Sequence, residues 1–285
     1  MTRTLAYFGP PGTNSEEAAL RYAERAGGGF DLVPLASITA VTAAVTDGRA
    51  EEGVVPIENS IEGAVNETLD LLIHAEKPLC IRSETVLPIE HLLLVKPGTR
   101  REDVTVIKSF PVAIAQCRIF IAREYPDAEI EAALSTAAAV ENVISRDGAA
   151  AIASRRAAEH YGAEVLASGI QDRSPNHTRF VTVAGEDHAP TGEDKTSVAF
   201  AFATEDRPGQ LVAALQAFAS RSINLSKIES RPSKEKLGTY IFLVDVHGHR
   251  LDAAMAEALA TIEKNCSAFR VLGSYPRFRA SGRSS

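Results

Sequence analysis

The stretch VVPIENSIEGAVNETLDLL, residues Val54–Leu72, decides the fold of the first half of this 285-residue chain. It begins as an apolar run typical of a buried strand, passes through the polar segment Pro56–Gly63, and enters a helix near Asn66. The helix is indicated by apolar residues at helical spacing, namely Val65, Leu69, Leu72 and Ile73. A buried strand that leads through a polar turn into a helix predicts an α/β fold with a largely parallel sheet.

Strand and helix signals alternate in the same way over the first 185 residues. The alternation restarts after two strand-like runs in Leu79–Val95, and a late strand, Arg179–Val183, can return to the first half. We therefore predict one region, residues 1–185, built of two lobes, and assign to them residues 1–77 with 175–185 and residues 78–174. A cleft between two such lobes, at the carboxyl ends of strands, is where small ligands bind.

The last third of the chain is organised differently. A polar, acidic stretch that contains Gly and Pro, residues 186–195, predicts a linker. Residues 196–276 then carry the signals of a strand, a helix, two strands, a helix and a strand, and this βαββαβ order is the ferredoxin-like pattern. Residues 277–285, rich in Arg and Ser, are predicted to be a frayed tail.

Composition restricts the class of function. The net charge of −7 argues against broad nucleic-acid binding but leaves room for a small anionic substrate in a locally positive pocket. The three cysteines, Cys80, Cys117 and Cys266, are far apart and form no pattern typical of a disulfide framework or a metal site. The N-terminus lacks a signal-peptide core and no apolar run is long enough to cross a membrane, so we expect a cytoplasmic protein.

Two polar clusters adjoin predicted strands of the first lobe. Glu58, Asn59, Ser60 and Glu62 follow a buried strand and are expected to point into the cleft, although an ordinary capped turn explains the same residues. In the segment Asn176–Phe180 the hydroxyl of Thr178 lies next to the permanent cation of Arg179. This combination suits recognition of a carboxylate, and a plain loop is the alternative.

A third cluster surrounds Pro111, because proline is favoured in the first turn of a helix. A helix over Pro111–Tyr125 would place Ser109, Ala113 and Gln116 on one face. That face would begin near a helix N-terminus, which suits anions. Helix capping explains Ser109 equally well.

Several motifs in the first region together resemble the catalytic region of prephenate dehydratases. They are GPPGTNS (Gly9–Ser15), the opening stretch Val54–Leu72, AQC (Ala115–Cys117), STAAAV (Ser135–Val140), AAIAS (Ala150–Ser154) and IQDRSPNHTRF (Ile170–Phe180). The last region resembles the ACT domain fused to these enzymes, through RPGQLVAAL (Arg207–Leu215) and INLSKIESRP (Ile223–Pro232). The matches follow the order of the family and cover nearly the whole chain.

The resemblance implies a two-lobed catalytic region similar to a type II periplasmic-binding-protein fold, followed by a ferredoxin-like ACT regulatory domain. It also implies the conversion of prephenate to phenylpyruvate, with loss of carbon dioxide and water, in L-phenylalanine biosynthesis. Because aromatisation drives this reaction, no cofactor and no metal are expected.

The resemblance also assigns roles to individual residues. By analogy, Thr178 would hydrogen-bond the leaving hydroxyl, and Arg179 would hold a carboxylate or order the site. Glu58, if its pKa is raised, would be the stronger acid. The candidate catalytic residues are Thr178, Glu58, Asn59, Ser109 and Gln116. The candidate substrate-binding residues are Thr13, Ser60, Ser135, Thr136, Arg179 and Phe180.

ACT domains bind amino acids at interfaces between domains, so the resemblance implies a homodimer or homotetramer regulated by phenylalanine. The candidate effector-binding residues are Gly209, Gln210, Leu211, Asn224, Glu229, Ser230 and Arg231. Three positions depart from the family pattern. Gln210 replaces the Ala of a Gly-Ala-Leu motif, Phe110 stands where the family usually has a histidine, and Val112 stands where it often has a glutamine.

Alternatives of three kinds stay open. Arogenate dehydratases perform the same chemistry on a substrate that bears an amino group, and the sequence does not separate the two activities. Bilobal α/β clefts also serve solute-binding proteins, and a purely regulatory amino-acid sensor could carry the same ACT domain. A nucleotide site is disfavoured, because GPPGT lacks the lysine and hydroxyl residue that end a phosphate loop.

Overall fold

The computed structural model describes residues 2–202, 207–234 and 239–279. The first lobe begins with β1 (Arg3–Phe8), α1 (Asn14–Arg25), β2 (Phe30–Leu35), α2 (Ile38–Thr46), β3 (Glu52–Asn59), β4 (Gly63–Ala64), α3 (Asn66–Ile73) and β5 (Cys80–Pro88). The second lobe contains β6 (Leu92–Val95), a 3₁₀ turn (Arg101–Asp103), β7 (Val106–Ser109), α4 (Pro111–Ala115), α5 (Arg118–Glu124), β8 (Glu129–Ala132), α6 (Thr136–Val143), β9 (Ala149–Ala153), α7 (Arg155–Tyr161) and β10 (Glu164–Ser168). The chain returns to the first lobe in β11 (His177–Ala184). The C-terminal domain consists of β12 (Asp194–Phe202), α8 (Gln210–Ala219), β13 (Leu225–Pro232), β14 (Tyr240–His247), α9 (Ala253–Glu263) and β15 (Cys266–Pro276).

The sheets of the two lobes have similar layouts. The first has the order β2-β1-β3-β11-β5, with β4 paired to the end of β3, and the second has the order β10-β6-β9-β7-β8. In each five-strand order a single strand runs against the others, β11 in the first and β6 in the second. Both are strands that the chain enters after crossing between the lobes. The expectation of largely parallel sheets is confirmed.

The change of lobe comes later in the chain than we predicted. Residues 80–88, which we assigned to the second lobe, form β5 and pair with β11 along its whole length in the first sheet. The chain therefore crosses after Pro88, and His91 lies at the crossing. The two strands predicted in Leu79–Val95 are present, but strand signals do not specify the sheet to which a strand belongs.

The C-terminal domain has the predicted βαββαβ order. Its antiparallel sheet runs β13-β14-β12-β15, and α8 and α9 pack on one face. Phe200, Phe218, Val244 and Leu259 lie in the core between the sheet and the helices.

The opposite face of this sheet packs directly on the first lobe. Leu243, Leu272 and Tyr275 of the C-terminal domain share one buried cluster with Leu72 and Ile81 of the first lobe. A Cβ atom on Gly273 would lie 2.2 Å from the backbone oxygen of Ile81, so only glycine fits there. The second lobe has separate cores. The C-terminal domain is therefore joined to one lobe of the cleft and not to the other.

The predicted linker and the start of the predicted tail are held in place. Asp187 accepts a hydrogen bond from Arg82 through its backbone oxygen, and β12 already begins at Asp194. The backbone N–H of Phe278 donates to Glu84 over 2.8 Å, so the chain is not frayed at this point. The remainder of the tail, residues 280–285, lies outside the described residues. Of the helices in the described ranges, none combines the length and apolar character needed to cross a membrane.

Candidate active site

The hydroxyl of Thr178 and the amide of Asn59 form a cross-strand pair. Thr178 on β11 lies opposite Asn59 at the end of β3. Asn59 Nδ2 donates to Thr178 Oγ1 over 2.9 Å. Asn59 is the last residue of β3, so the pair lies at the carboxyl end of that strand, where ligand-binding residues are expected.

The amide of Asn59 has a fixed orientation. Its Oδ1 accepts the backbone N–H groups of Ile61 (2.9 Å) and Glu62 (3.0 Å), so its nitrogen must be the atom that faces Thr178. Thr178 Oγ1 is therefore the acceptor in this bond. In the parts of the chain that the structure describes, no protein acceptor lies within reach of the Thr178 hydrogen, which stays available for a ligand.

A chain of hydrogen bonds connects this pair to the second lobe. Asn176 accepts from Asn59 over 2.9 Å and donates to Gln116 Oε1 over 3.0 Å. Gln116 Nε2 donates in turn to Glu62 Oε1 over 2.8 Å. We call Thr178, Asn59, Asn176, Gln116, Glu62 and His91 the cleft network. It joins residues of both lobes, because Gln116 follows α4 in the second lobe.

His91 completes the cleft network, and we did not predict it. Its Nε2 lies 2.8 Å from Gln116 Oε1. Because the nitrogen of Gln116 is committed to Glu62, its oxygen accepts and His91 Nε2 must carry a hydrogen. Burial lowers the pKa of His91 although the bond to Gln116 opposes this shift, so the ring is neutral at pH 7. The only sequence signal for His91 was its place between the two strand-like runs of Leu79–Val95.

Gln116 reaches the cleft because the predicted helix Pro111–Tyr125 is broken. The helix stops at Ala115, and α5 begins at Arg118. The backbone oxygen of Gln116 accepts the N–H of Asp172 over 2.7 Å, and the Asp172 carboxylate accepts the N–H of Ile119. A neighbouring loop thus replaces hydrogen bonds that a continuous helix would make.

Ser109 does not reach the cleft network. It is the last residue of β7, is fully buried, and donates its hydroxyl to the backbone oxygen of Ile152 over 2.6 Å. The prediction that it shares a helix face with Gln116 is wrong, because Ser109 has strand geometry and the helix starts only at Pro111. Its role here is to tie β7 to β9.

Glu58 and Arg179 lie on the opposite face of the strand pair. They are paired with each other in register, one residue away from Asn59 and Thr178, and side chains alternate between the faces of a sheet. Glu58 Oε2 lies 3.0 Å from Lys227 of the C-terminal domain and 3.6 Å from Arg179 Nη1. The predictions that Glu58 acts as an acid in the cleft and that Arg179 holds a substrate carboxylate there are both wrong.

Arg179 is instead the centre of a charged cluster between the first lobe and the C-terminal domain. Its three nitrogens donate, each over 2.7 Å, to Glu84, Asp245 and Tyr275. Burial opposes its charge, but these partners outweigh burial and hold the pKa of Arg179 well above its ordinary value. Burial also raises the pKa of Asp245, yet Arg179 and Lys195 reverse the effect and the pKa is lowered. We call Arg179, Glu84, Lys195, Asp245 and Tyr275 the domain cluster.

Thr13, Ser135 and Thr136 lie at helix N-termini of the two lobes. Thr13 caps α1 through its contact with the N–H of Glu16 (3.4 Å), and Ser135 caps α6 through the N–H of Ala138 (3.0 Å). Thr136 is the first residue of α6. The two ends meet: a Cβ on Gly12 would lie 3.6 Å from Ala137 and 3.3 Å from Ala157. Because helix N-termini attract anions, this junction suits a carboxylate.

Two further candidates have structural roles. Ser60 accepts the N–H of His177 through its hydroxyl (2.9 Å) and donates its own N–H to the His177 oxygen (2.8 Å), which fixes the end of β11. Phe180 is 2% exposed and packs with Leu5 and Tyr7 in the core under α1. The prediction that Phe180 contacts substrate is therefore wrong.

A cavity of about 850 Å³ opens beside the cleft network. Glu62 and Gln116 belong both to its lining and to the network, whereas Thr178 and Asn59 do not line it. Arg118, Arg123 and Arg173 also line this cavity, together with the carboxylate of Asp172. In the described ranges, no His, Cys, Asp or Glu side chains are grouped in threes so that they could hold a metal ion.

The predicted effector residues divide into two groups. Gly209 precedes α8 at a φ of +89°, Gln210 and Leu211 open that helix, and Asn224 and Ser230 are exposed near or on the edge strand β13. Arg231 instead points to the first lobe, where it contacts Asp70 (2.8 Å) and the backbone oxygen of Asn66. Glu229 lies on the same side, 3.4 Å from Lys227. Arg231 therefore lies apart from the exposed members of the predicted effector set, and its part in effector binding stays a prediction.

Comparisons with known proteins agree with this architecture. Residues 5–188 match the family model for prephenate dehydratase, and residues 200–264 match that for the ACT domain. The chain is 43% identical to the prephenate dehydratase of Mycobacteroides abscessus over 279 residues, which cover 96% of this chain and 90% of that protein.

Solved structures are also similar over nearly the whole chain. The prephenate dehydratase of Arthrobacter aurescens in complex with L-Phe has a TM-score of 0.86 and 37% identity, and covers 96% of this chain and 90% of that one. A structure described as GqqA, a novel type of quorum quenching acylase, has a TM-score of 0.80 and 32% identity. The match covers 96% of this chain and 98% of that one.

The first family model includes both lobes and the strands at which the chain crosses between them, and the second includes most of the C-terminal domain. The identity to the Mycobacteroides enzyme extends over both parts. The chain therefore belongs to the prephenate dehydratase family and carries an ACT domain at its C-terminal end.

Proposed function

We propose that the Thr178–Asn59 pair is the reacting centre at which this enzyme removes carbon dioxide and water from prephenate to give phenylpyruvate. The observation that carries the proposal is the hydrogen bond from Asn59 to Thr178, which leaves the Thr178 hydrogen free for the departing ring hydroxyl. A donor at that position stabilises the negative charge that develops on the leaving oxygen. Because a threonine hydroxyl is a very poor acid, its role is hydrogen bonding and not full proton transfer.

The remaining contacts serve to bind and orient a dianion. The N-termini of α1 and α6, with Thr13, Ser135 and Thr136, supply backbone N–H groups for one carboxylate. The cleft network holds Thr178 in a single orientation, since each amide in it has its oxygen and nitrogen assigned by neighbours. Preorganised donors of this kind cost no reorganisation during the reaction.

The similarity to a protein described as an acylase does not favour hydrolysis here. A threonine or cysteine nucleophile needs an adjacent base or a lowered pKa. The partner of Thr178 Oγ1 is an amide, and in the described part of the chain no His, Asp or Glu is hydrogen-bonded to it. Burial raises the pKa of Cys117 to about 12, which keeps this thiol protonated.

The direct test is phenylpyruvate formation from prephenate by Thr178→Val. We expect kcat to fall by at least about 100-fold, the scale of one lost transition-state donor. Thr178→Ser keeps the hydroxyl and should keep most of the activity, and Thr261→Val on the surface of α9 is the control. Wild-type kcat in Thr178→Val would remove this residue from the chemistry. Comparing kcat/KM for prephenate and arogenate in the same assay assigns the substrate.

We also propose that phenylalanine binds the C-terminal domain near Gly209–Leu211 and regulates the enzyme as a homodimer or homotetramer. Support comes from the exposed side chains of Val212 on α8 (67% exposed) and Ile228 on β13 (45%), which a second copy would cover. The domain cluster connects the C-terminal domain to the cleft, because its member Arg179 is next to Thr178 in β11. A change in the C-terminal domain on phenylalanine binding can reach the cleft through this contact. A ligand shifts activity only if it binds the two states with different affinity.

Calorimetry with phenylalanine tests the regulatory proposal, and sedimentation tests the oligomer. We expect binding at or below millimolar phenylalanine, and Val212→Asp should weaken both binding and assembly. Leu251→Asp changes an exposed leucine outside the proposed contact and serves as the control. No binding at millimolar phenylalanine would refute regulation by this amino acid.

A further inference from the structure

A second cavity, of about 410 Å³, lies where the first lobe, the linker and the C-terminal segment meet. Its lining includes five arginines, Arg3, Arg25, Arg82, Arg277 and Arg279, and two carboxylates, Glu52 and Glu84. We call this cavity the arginine pocket. We propose that it binds a small, multiply charged oxyanion that carries phosphate or several carboxylates.

The two carboxylates in the lining are already neutralised. Glu84 lies 2.7 Å from Arg179 and 2.9 Å from Lys195, neither of which lines the pocket. Glu52 lies 3.3 Å from Arg82. Neither Glu52 nor Glu84 forms an ion pair with Arg3, Arg25 or Arg277 within the described residues, although the charge of Glu84 acts favourably on Arg25 from a distance.

Three of the arginines have no carboxylate partner within the ranges that the structure describes. Arg3 donates to the backbone oxygen of Gly28, and Arg25 donates only to hydroxyl and backbone oxygens at residues 83–85. Arg277 Nη1 lies 3.1 Å from a ring nitrogen of His247. Arg279, by contrast, is paired with Glu193. Three positive charges therefore line the pocket with neutral partners only, in a chain whose net charge is −7.

Arg277 also has a buried donor without an acceptor. Its Nε is buried and has no hydrogen-bond partner. A buried guanidinium N–H that loses its water without gaining an acceptor is destabilising, and an oxyanion would supply the acceptor in the geometry that the guanidinium fork prefers. Burial also lowers the pKa of Arg25, which an anion beside it would reverse.

The anion site lies at the end of the pocket formed by Arg25 and Arg277. Both flank Glu84: Arg25 donates to its backbone oxygen, and Phe278, next to Arg277, donates its N–H to the carboxylate. The carboxylate oxygen Glu52 Oε2, which is buried without a hydrogen-bond partner, disfavours an anion beside it. Tyr22 and Phe278 extend the lining, so the space exceeds that of a single phosphate.

An anion bound in the arginine pocket would contact both the first lobe and the C-terminal segment. Arg25 belongs to α1 of the first lobe, whereas Arg277 follows the last strand of the C-terminal domain. Glu84 at the pocket is a member of the domain cluster through Arg179. An anion bound to both arginines would therefore tighten the contact between the first lobe and the C-terminal segment.

Calorimetry on the full chain with inorganic phosphate and with citrate, at constant ionic strength set by chloride, tests the proposal. We expect one site with a Kd below about 10 mM for at least one of the two probes. Arg25→Gln and Arg277→Gln should each weaken binding by at least about 10-fold, the scale of one lost charge-assisted hydrogen bond. Arg21→Gln removes an arginine of the same helix, one turn away and outside the pocket, and should bind as the wild type does.

The outcomes separate the possibilities. Tighter binding of phosphate identifies a phosphate-bearing ligand, and tighter binding of citrate identifies a polycarboxylate. If neither probe binds, or if both variants bind as tightly as Arg21→Gln, the arginine pocket is not an anion site. Urea unfolding of each variant verifies that it is folded. Because Arg25 and Arg277 lie on different elements, the test can still be carried out with one variant if the other does not fold.

Discussion

The two faces of the β3–β11 strand pair carry polar side chains of similar kinds with different tasks. On one face, the neutral pair Asn59–Thr178 presents a hydrogen towards the cleft. On the other, Glu58 and Arg179, one residue away along each strand, join charged groups of the C-terminal domain. A short motif in a strand is therefore not one site, because its consecutive residues serve opposite faces of the sheet.

The electrostatics of the two faces differ in the same way. The domain cluster buries full charges, which is tolerable only because each has a partner of opposite sign. Its Arg179 side chain is 12% exposed and that of Glu84 is 2% exposed. Three of the six members of the cleft network are neutral amides, namely Asn59, Asn176 and Gln116, and Glu62 is its one carboxylate. The charged cluster on one face therefore joins the two domains, and the hydrogen-bonded network on the other face holds the site in a fixed orientation.

The largest effect is expected at the domain cluster. Arg179→Met leaves Asp245 and Glu84 with fewer positive partners in a buried position, and we expect the free energy of unfolding to fall by about 3–5 kcal/mol. Urea denaturation followed by circular dichroism measures it. Arg21→Met on the surface of α1 is the matched control and should cost less than about 1 kcal/mol. A small loss in Arg179→Met would mean that the cluster contributes no more than a surface ion pair.

Asn59→Asp is expected to change the free energy of unfolding less than Arg179→Met does, and its main effect is on turnover. A carboxylate would accept the Thr178 hydrogen and not donate to its oxygen, which removes that hydrogen from the substrate. We expect kcat to fall by about 100-fold, equivalent to about 2.7 kcal/mol, with the fold retained. Asn142→Asp on the exposed side of α6 is the control. Unchanged kcat would show that the direction of the Asn59–Thr178 bond is irrelevant to the reaction.

The smallest effect is expected from Glu58→Gln. If Glu58 serves the domain face, its loss removes a partly exposed ion pair with Lys227 and costs less than about 1 kcal/mol of unfolding free energy. The value of kcat should change by less than about 3-fold, since that pair lies on the face away from the cleft. Lys227→Gln removes the other partner and should behave in the same way. A loss of kcat as large as that of Thr178→Val would restore Glu58 as the acid.

The strands and helices that carry the site were largely predictable from the sequence. Helical spacing in Val65–Ile73 and the apolar run before Pro56 are local patterns, and local patterns are what hydrophobic periodicity records. The break between Ala115 and Arg118 was not predictable in this way, because it depends on Asp172, a residue far along the chain. The same holds for His91, whose partner Gln116 lies on another element.

The order of the elements, the two-lobed plan and the βαββαβ domain follow from the sequence, which also led to the expectation that Glu58 and Asn59 both point into the cleft. Only the tertiary structure decided which of the two faces the cleft. Both faces of the first sheet pack against other elements, and a polar side chain at the end of a strand is compatible with either face. The packing of β15 against β5, through Gly273 and Ile81, places the C-terminal domain on the Glu58–Arg179 face and leaves Asn59 and Thr178 for the cleft.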